Sequence, residues 1–158
     1  MNKEKKKYLA RNRKAFHDYH IEESFEAGIV LTGTETKSIR SGHLNISEGW
    51  VDTSVSNSVI LRQVHVTPYE FGNIYNHDPI RPRSLLLNMR EIATLQRGVE
   101  RKGYSAIPLS VYLKGRWIKV NIALVKGKKQ YDKRQAKKEK QDEKDAKREL
   151  KSSLRRNS

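Results

Sequence analysis

Five histidines, scattered carboxylates and two ends rich in lysine and arginine are the residues from which this 158-residue chain could build chemistry. His17 and His20 stand three apart beside Asp18, Glu22 and Glu23, a spacing that lets two imidazoles face one another on a helix. A zinc site needs further ligands and partners that orient them. The spacing supplies neither, so the histidines read as exposed or hydrogen-bonded and no metal is expected. There is no Gly-x-Ser-x-Gly elbow and no phosphate loop. Gly127-Lys128-Lys129 is followed by Gln130, where such a loop needs Ser or Thr. Cysteine is absent, which removes thiolate metal sites, Cys nucleophiles and disulfides. The expectation is no catalytic residue, no cofactor, no small-molecule substrate and no enzyme activity.

Charge is the stronger signal. The chain carries 33 Lys+Arg against 18 Asp+Glu, a net +15. Residues 1–14 hold seven basic side chains and one acid, and residues 127–158 hold thirteen and six, leaving thirteen and eleven between them. A nearly neutral middle with two basic ends points to a polyanionic partner, because solubility alone needs no such excess. No apolar run spans a bilayer and the N-terminus lacks a signal peptide's apolar stretch. A cytoplasmic, non-membrane protein is expected.

The elements that would position these charges follow from apolar period and turn chemistry. Residues 1–14 have no period and read as a flexible basic arm. Residues 15–126 read as the folded core, and 127–158 as a basic tail too poor in apolar side chains to fold alone. Within the core, Phe25 to Leu31 is a strand. Thr34 to Arg40 is a short helix capped by Thr34 and ended at Gly42. Trp50–Val55 and Val59–Val66 form a hairpin around Ser56-Asn57-Ser58. The second of these runs has Ile60, Arg62, Val64 and Val66 on one face and Leu61, Gln63 and His65 on the other. Residues 67–83 are a long surface loop. Asn88 caps a helix to about Lys102, and two strands follow on either side of Gly115. Adjacent antiparallel strands with few helices indicate a small barrel or an α+β sheet. The tail's Lys, Glu, Gln, Ala and Arg are good helix formers, so it is expected to be disordered until a charged partner makes it helical.

Two side chains stand out beyond the charge. Tyr131 lies in a basic run with no core to join, the best placed aromatic for stacking on an unpaired base. Tyr69, Phe71 and Tyr75 in the long loop rank behind it, since they can simply pin that loop. Glu26 is an acid in a strand-like run. It reads either as a plain exposed strand residue, as an acceptor for base edges or sugar hydroxyls, or as a group that orients a lysine such as Lys119.

Several strings, in order, resemble the small protein B (SmpB) family. They are Asn12-Arg13-Lys14-Ala15, Phe25 to Ile29, Gly33 to Gly42, His77-Asp78-Pro79-Ile80-Arg81-Pro82-Arg83, Leu85-Leu86-Leu87-Asn88, and Gly127-Lys128-Lys129 followed by Asp132-Lys133-Arg134. Each string is weak alone, and their ordered combination is specific. The resemblance implies an antiparallel oligonucleotide-binding (OB)-like β-barrel with accessory helices and a disordered basic C-terminal tail. It implies binding to the tRNA-like domain of transfer-messenger RNA (tmRNA) and delivery of that RNA to stalled ribosomes.

On the family's pattern, Asn12, Glu26, Leu85, Leu86, Leu87, Asn88 and Lys119 fall at tmRNA-binding positions, and Lys37 and Arg40, within the resembling Gly33 to Gly42 string, are expected to bind tmRNA with them. Gly127, Lys128, Lys129, Tyr131, Asp132, Lys133 and Arg134 fall where the tail enters the decoding centre and the empty messenger channel. Some members of the family carry His where this chain has Tyr131, which keeps a stacking ring but loses a group that charges near neutral pH. Two other readings compete. A generic OB-fold ribosomal or single-strand RNA-binding protein would bind RNA without preference, and an RNA-cleaving enzyme would need a carboxylate or histidine cluster.

Overall fold

A computed structural model describes residues 5–72, 74, 76–128, 138 and 140–151. The chain divides into two units, Met1–Gly127 and Lys128–Ser158. The first is built from β1 (Lys6–Arg11), α1 (Arg13–Asp18), β2 (Tyr19–Ile29), α2 (Gly33–Arg40), β3 (Leu44–Asn45), β4 (Trp50–Asp52), β5 (Val59–Arg62), β6 (His65–Val66), β7 (Arg83–Leu86), α3 (Met89–Val99), β8 (Tyr104–Lys114) and β9 (Trp117–Gly127). Seven strands form one antiparallel sheet in the order β1-β8-β9-β2-β7-β5-β4, and β3 pairs with β6 in a small second sheet. The expectation of a mainly β fold with short helices holds. The expected barrel does not: the large sheet is open, with β1 and β4 as its two edges.

The core lies on one face of this sheet. Phe25, Ala27, Val59, Leu61, Leu85, Val111, Val120 and Ile122 point into it, and α3 covers it with Ile92 and Leu95. Asn88 caps α3 as expected, in a capping box with Glu91. Gly98 sits inside that helix, where Gly is unfavourable by roughly 1 kcal/mol against Ala. Close approach explains it, because a Cβ there would stand 2.4 Å from Leu124 Cδ2. A smaller cluster on the opposite face joins Ala15 of α1 to Ile107, Leu109, Ala123 and Val125.

Several expectations give way. Lys6–Arg11 is not an arm but an edge strand on β8, because Leu9 and Ala10 pack against the core. The strand expected over Phe25–Leu31 is longer, running from Tyr19 to Ile29. His17 and His20 do not share a helix, since α1 ends at Asp18. The cap of α2 is Thr32 rather than Thr34. The Val59–Val66 run breaks at Gln63, whose φ of 59° is left-handed. That one residue changes the parity. Val59 and Leu61 are buried before it and Val64 and Val66 after it, so the expected grouping of Ile60 with Val64 fails.

The long loop is fastened to α2 by a buried ion pair. Glu35 and Arg83 are both 0% exposed. Glu35 accepts from Arg83 Nε, from Arg81 Nη2 at 2.6 Å and from the Thr32 amide at 2.9 Å. Arg83 also donates to the carbonyls of Val64 (2.9 Å) and Pro79 (3.3 Å). His77 bridges Thr34 Oγ1 (2.8 Å) and the Val66 carbonyl (2.9 Å). Among the described residues, no helix is long and apolar enough to cross a membrane.

In the second unit, residues 140–151 are helical and exposed. From its composition the tail is expected to be disordered until a charged partner makes it helical. The local chemistry favours this helix: Gln141 Nε2 donates to Asp145 Oδ1 at 3.0 Å, and Glu143 stands four residues before Lys147, the favourable order for an ion pair on a helix.

Candidate nucleic-acid interface

The sheet face opposite the core is half covered by α1 and half open. Antiparallel register places directly opposed residues on the same face, which arranges the open half in rows. Leu86, Gly28, Lys119, Tyr112 and Tyr8 form one row across β7, β2, β9, β8 and β1. Glu26, Asn121, Ser110 and Arg11 form the next. Trp117, Lys114 and Lys6 form a third. Leu86 and Trp117 are about 60% exposed. The face thus interleaves cations and aromatics, the combination that holds a nucleic-acid backbone while offering rings to bases.

Glu26 lies at the centre of this face. It reaches across β9 to accept a hydrogen bond from the Tyr112 hydroxyl and one from Lys114 Nζ at 3.0 Å. The Tyr112 bond, followed by the Lys114 ammonium and the more distant Lys6, holds the Glu26 carboxyl below its ordinary pKa against the opposing effect of burial. Burial and then the Glu26 carboxylate raise the Tyr112 hydroxyl well above the usual phenol range. The pair is therefore an ionised acceptor and a protonated donor at neutral pH. The lysine that Glu26 engages is Lys114, not Lys119. Lys119 has no ion pair among the described residues, which leaves its ammonium available.

On β1, Tyr8 packs against Tyr112 with ring centroids 5.6 Å apart. Lys6 Nζ stands 4.9 Å over the Tyr112 ring, and the Arg11 guanidinium 4.0 Å over the Tyr8 ring. Such contacts hold long basic side chains in place at the sheet edge. Tyr8, Lys6, Arg11, Tyr112, Lys114 and Trp117 escaped the sequence reading. The available signal was the alternation in Tyr104–Lys114, whose outward positions include Ser110, Tyr112 and Lys114.

The remaining residues flagged by the sequence divide. Asn12 is buried: its amide donates to the Pro108 carbonyl at 3.0 Å and its Oδ1 accepts from the Ala15 amide at 3.3 Å, capping α1 beside an open groove of about 620 Å³. The Leu85–Asn88 run splits, with Leu85 in the core, Leu86 outward, Leu87 packed against the core and Asn88 capping α3. Lys37 Nζ lies 5.1 Å over the Tyr69 ring, which also meets Phe71 edge-on. Arg40 donates to the Arg116 carbonyl at 3.0 Å, tying α2 to the β8–β9 turn. Gly127 ends β9 and Lys128 begins the second unit. Lys129, Tyr131, Asp132, Lys133 and Arg134, like Tyr75 in the loop, lie outside the described residues.

Comparison with known proteins identifies the family. The profile of the family described as SmpB protein matches residues 9–152. The SsrA-binding protein of Clostridium kluyveri is 49% identical over 154 residues, covering 98% of each chain. That of Alkaliphilus oremlandii is 58% identical over 130 residues, covering 82% of this chain and 83% of the relative. Among solved structures, a chain from work on tmRNA–SmpB and the centre of the bacterial ribosome superposes with a TM-score of 0.65 at 40% identity. That match covers 77% of this chain and 85% of the other. The chain belongs to the SmpB protein family.

Proposed function

We propose that this protein binds the tRNA-like domain of tmRNA through the open face of its large sheet and delivers that RNA to stalled ribosomes in trans-translation. The relatives named SsrA-binding protein and the structural neighbour from tmRNA–SmpB on the ribosome support the partners. The observation that carries the reading is the fixed, ionised Glu26 among Lys6, Lys114, Lys119, Tyr8 and Tyr112. Lysines on this face neutralise phosphates, which gives affinity without sequence preference. An acceptor-only carboxylate repels phosphate and rewards a nucleic-acid donor group. The face thus combines attraction with selection, which supports an RNA-binding role. We read the open sheet as a variant of the OB-like scaffold.

The C-terminal unit completes the reading. Gly127, Lys128, Lys129, Tyr131, Asp132, Lys133 and Arg134 act in the decoding centre, with the rest of the tail in the empty messenger channel. A stalled ribosome offers no codon, so a cationic segment that contacts ribosomal phosphates takes the place of codon pairing.

Glu26→Ala tests the sheet face. Removing a hydrogen-bond partner that carries charge is worth about 1.5–3 kcal/mol, so affinity for the tRNA-like domain is expected to fall about tenfold or more. The circular dichroism spectrum should stay that of the folded protein, with a modest fall in melting temperature because the Tyr112 hydroxyl loses its acceptor. Unchanged affinity, or a variant that does not fold, would remove Glu26 from the interface.

A further inference from the structure

The Glu26 carboxylate is held from two sides. Tyr112, from β8, donates to one oxygen and Lys114 donates to the other. A carboxylate has about four acceptor positions, so these two bonds leave others open on a side chain that is 32% exposed. Tyr112 itself is 2% exposed and its ring meets Tyr8 and Lys6 of β1. Its hydroxyl is therefore fixed in space, whereas the Lys114 ammonium sits on a flexible stem 39% exposed. Of the two donors, only the tyrosine can set the direction in which the free lone pairs point. A carboxylate without that restraint would turn toward Lys114, Lys6 or Lys119 and lose its acceptor geometry in ion pairs.

We propose that Tyr112 is a positioning residue: its hydroxyl aims Glu26 so that the sheet face discriminates for an RNA that presents an N–H or O–H donor there, a guanine or cytosine amino edge or a ribose 2′-hydroxyl. The inference rests on the reading of this face as the tmRNA site and names the chemistry by which it selects. The surrounding lysines give attraction common to every RNA. Selectivity comes from Glu26 only while it is aimed, since a misdirected acceptor leaves the RNA donor unpaired.

Tyr112→Phe keeps the ring and removes only the hydroxyl. Affinities of the full chain, Tyr112→Phe, Glu26→Ala and the double variant would be measured for the tRNA-like domain and for unstructured RNA at several salt concentrations. Tyr112→Phe is expected to bind the tRNA-like domain about tenfold more weakly, with its affinity for unstructured RNA and its salt slope unchanged. The double variant should be no weaker than Glu26→Ala, because two residues acting through one group are not additive. The Glu26 carboxyl, followed by carbon NMR, should titrate at higher pH in Tyr112→Phe, a readout that a purely structural role of the ring would not move.

Normal discrimination in Tyr112→Phe, equal loss on both RNAs, or an additive double variant would overturn the inference. Should Tyr112→Phe lose stability, the NMR titration decides alone on folded protein, and an unmoved Glu26 would overturn it. Failure of the underlying reading looks different, since the unaltered protein would then show no preference for the tRNA-like domain at all.

Discussion

Removal of everything after Lys126 is expected to abolish tagging of stalled translation products while leaving affinity for the tRNA-like domain of tmRNA nearly intact. The cut falls at the end of β9 and sacrifices one strand pair, Gly127 with Tyr19. Every residue of the Glu26–Tyr112–Lys114 cluster and of the rows around it stays in place. What is lost is a segment with thirteen basic side chains and six acids, whose residues 140–151 are helical and exposed and bury no apolar face of their own. The exposed side chains of 140–151 are therefore free to meet a ribosomal partner. Gel shifts on the RNA and a reconstituted tagging reaction on ribosomes lacking a stop codon read the two activities separately. Equal loss of both would show that the division of labour between sheet and tail is wrong.

The second large effect concerns stability. Glu35→Ala leaves Arg83 fully buried without its ion-pair partner, and breaking one side of a buried pair is unfavourable by about 3–5 kcal/mol. Urea unfolding should show that loss, and an exposed comparison such as Glu70→Ala should not. The same group governs the acid limb. Burial would raise the Glu35 carboxyl, but hydrogen bonds from Arg81, the Thr32 amide and Arg83 outweigh it and lower the pKa from 4.5 to about 2. The unfolded state then binds the extra proton between those values. Stability contributed by Glu35 is complete above about 4.5 and is lost as pH falls through about 2. Asp52, held down to about 2 by Ser54 and then Arg62, adds loss in the same direction. Urea midpoints taken from pH 6 down to 2 should fall steadily, and less steeply in Glu35→Ala. A flat profile would mean that neither carboxylate is paired in solution.

The sequence carried what depends on near neighbours. α3, its Asn88 cap and the Gly115 turn were legible because apolar period, cap and turn residues lie within a few positions of one another. The family resemblance was legible because its strings stay in order. What was hidden depends on distant or single-residue events. β1 reads as a charged arm until β8, about a hundred residues on, supplies the ladder that orders it. Gln63 reverses the faces of a strand through one left-handed residue, a choice that no propensity announces. Thr32 and Thr34 are equally good caps by type, and Glu35 decides for Thr32 by closing the capping box. Asn12 shows a second role that type alone hides: the resemblance assigns it to RNA, and its side chain also donates to the Pro108 carbonyl and accepts from the Ala15 amide, capping α1. Glu26 was visible as an anomaly, yet its partner was not, because Tyr112 lies 86 residues away in a run that otherwise reads as core.

The central claim is that the open sheet face selects the tRNA-like domain of tmRNA and does not merely attract polyanions. A gel-shift titration of the full chain against that domain, alanine tRNA and an unstructured RNA, repeated at several salt concentrations, tests it most directly. The account predicts tight binding that favours the tmRNA domain and persists at moderate salt. Equal, steeply salt-sensitive binding to all three would contradict it and leave a generic basic RNA-binding protein in its place.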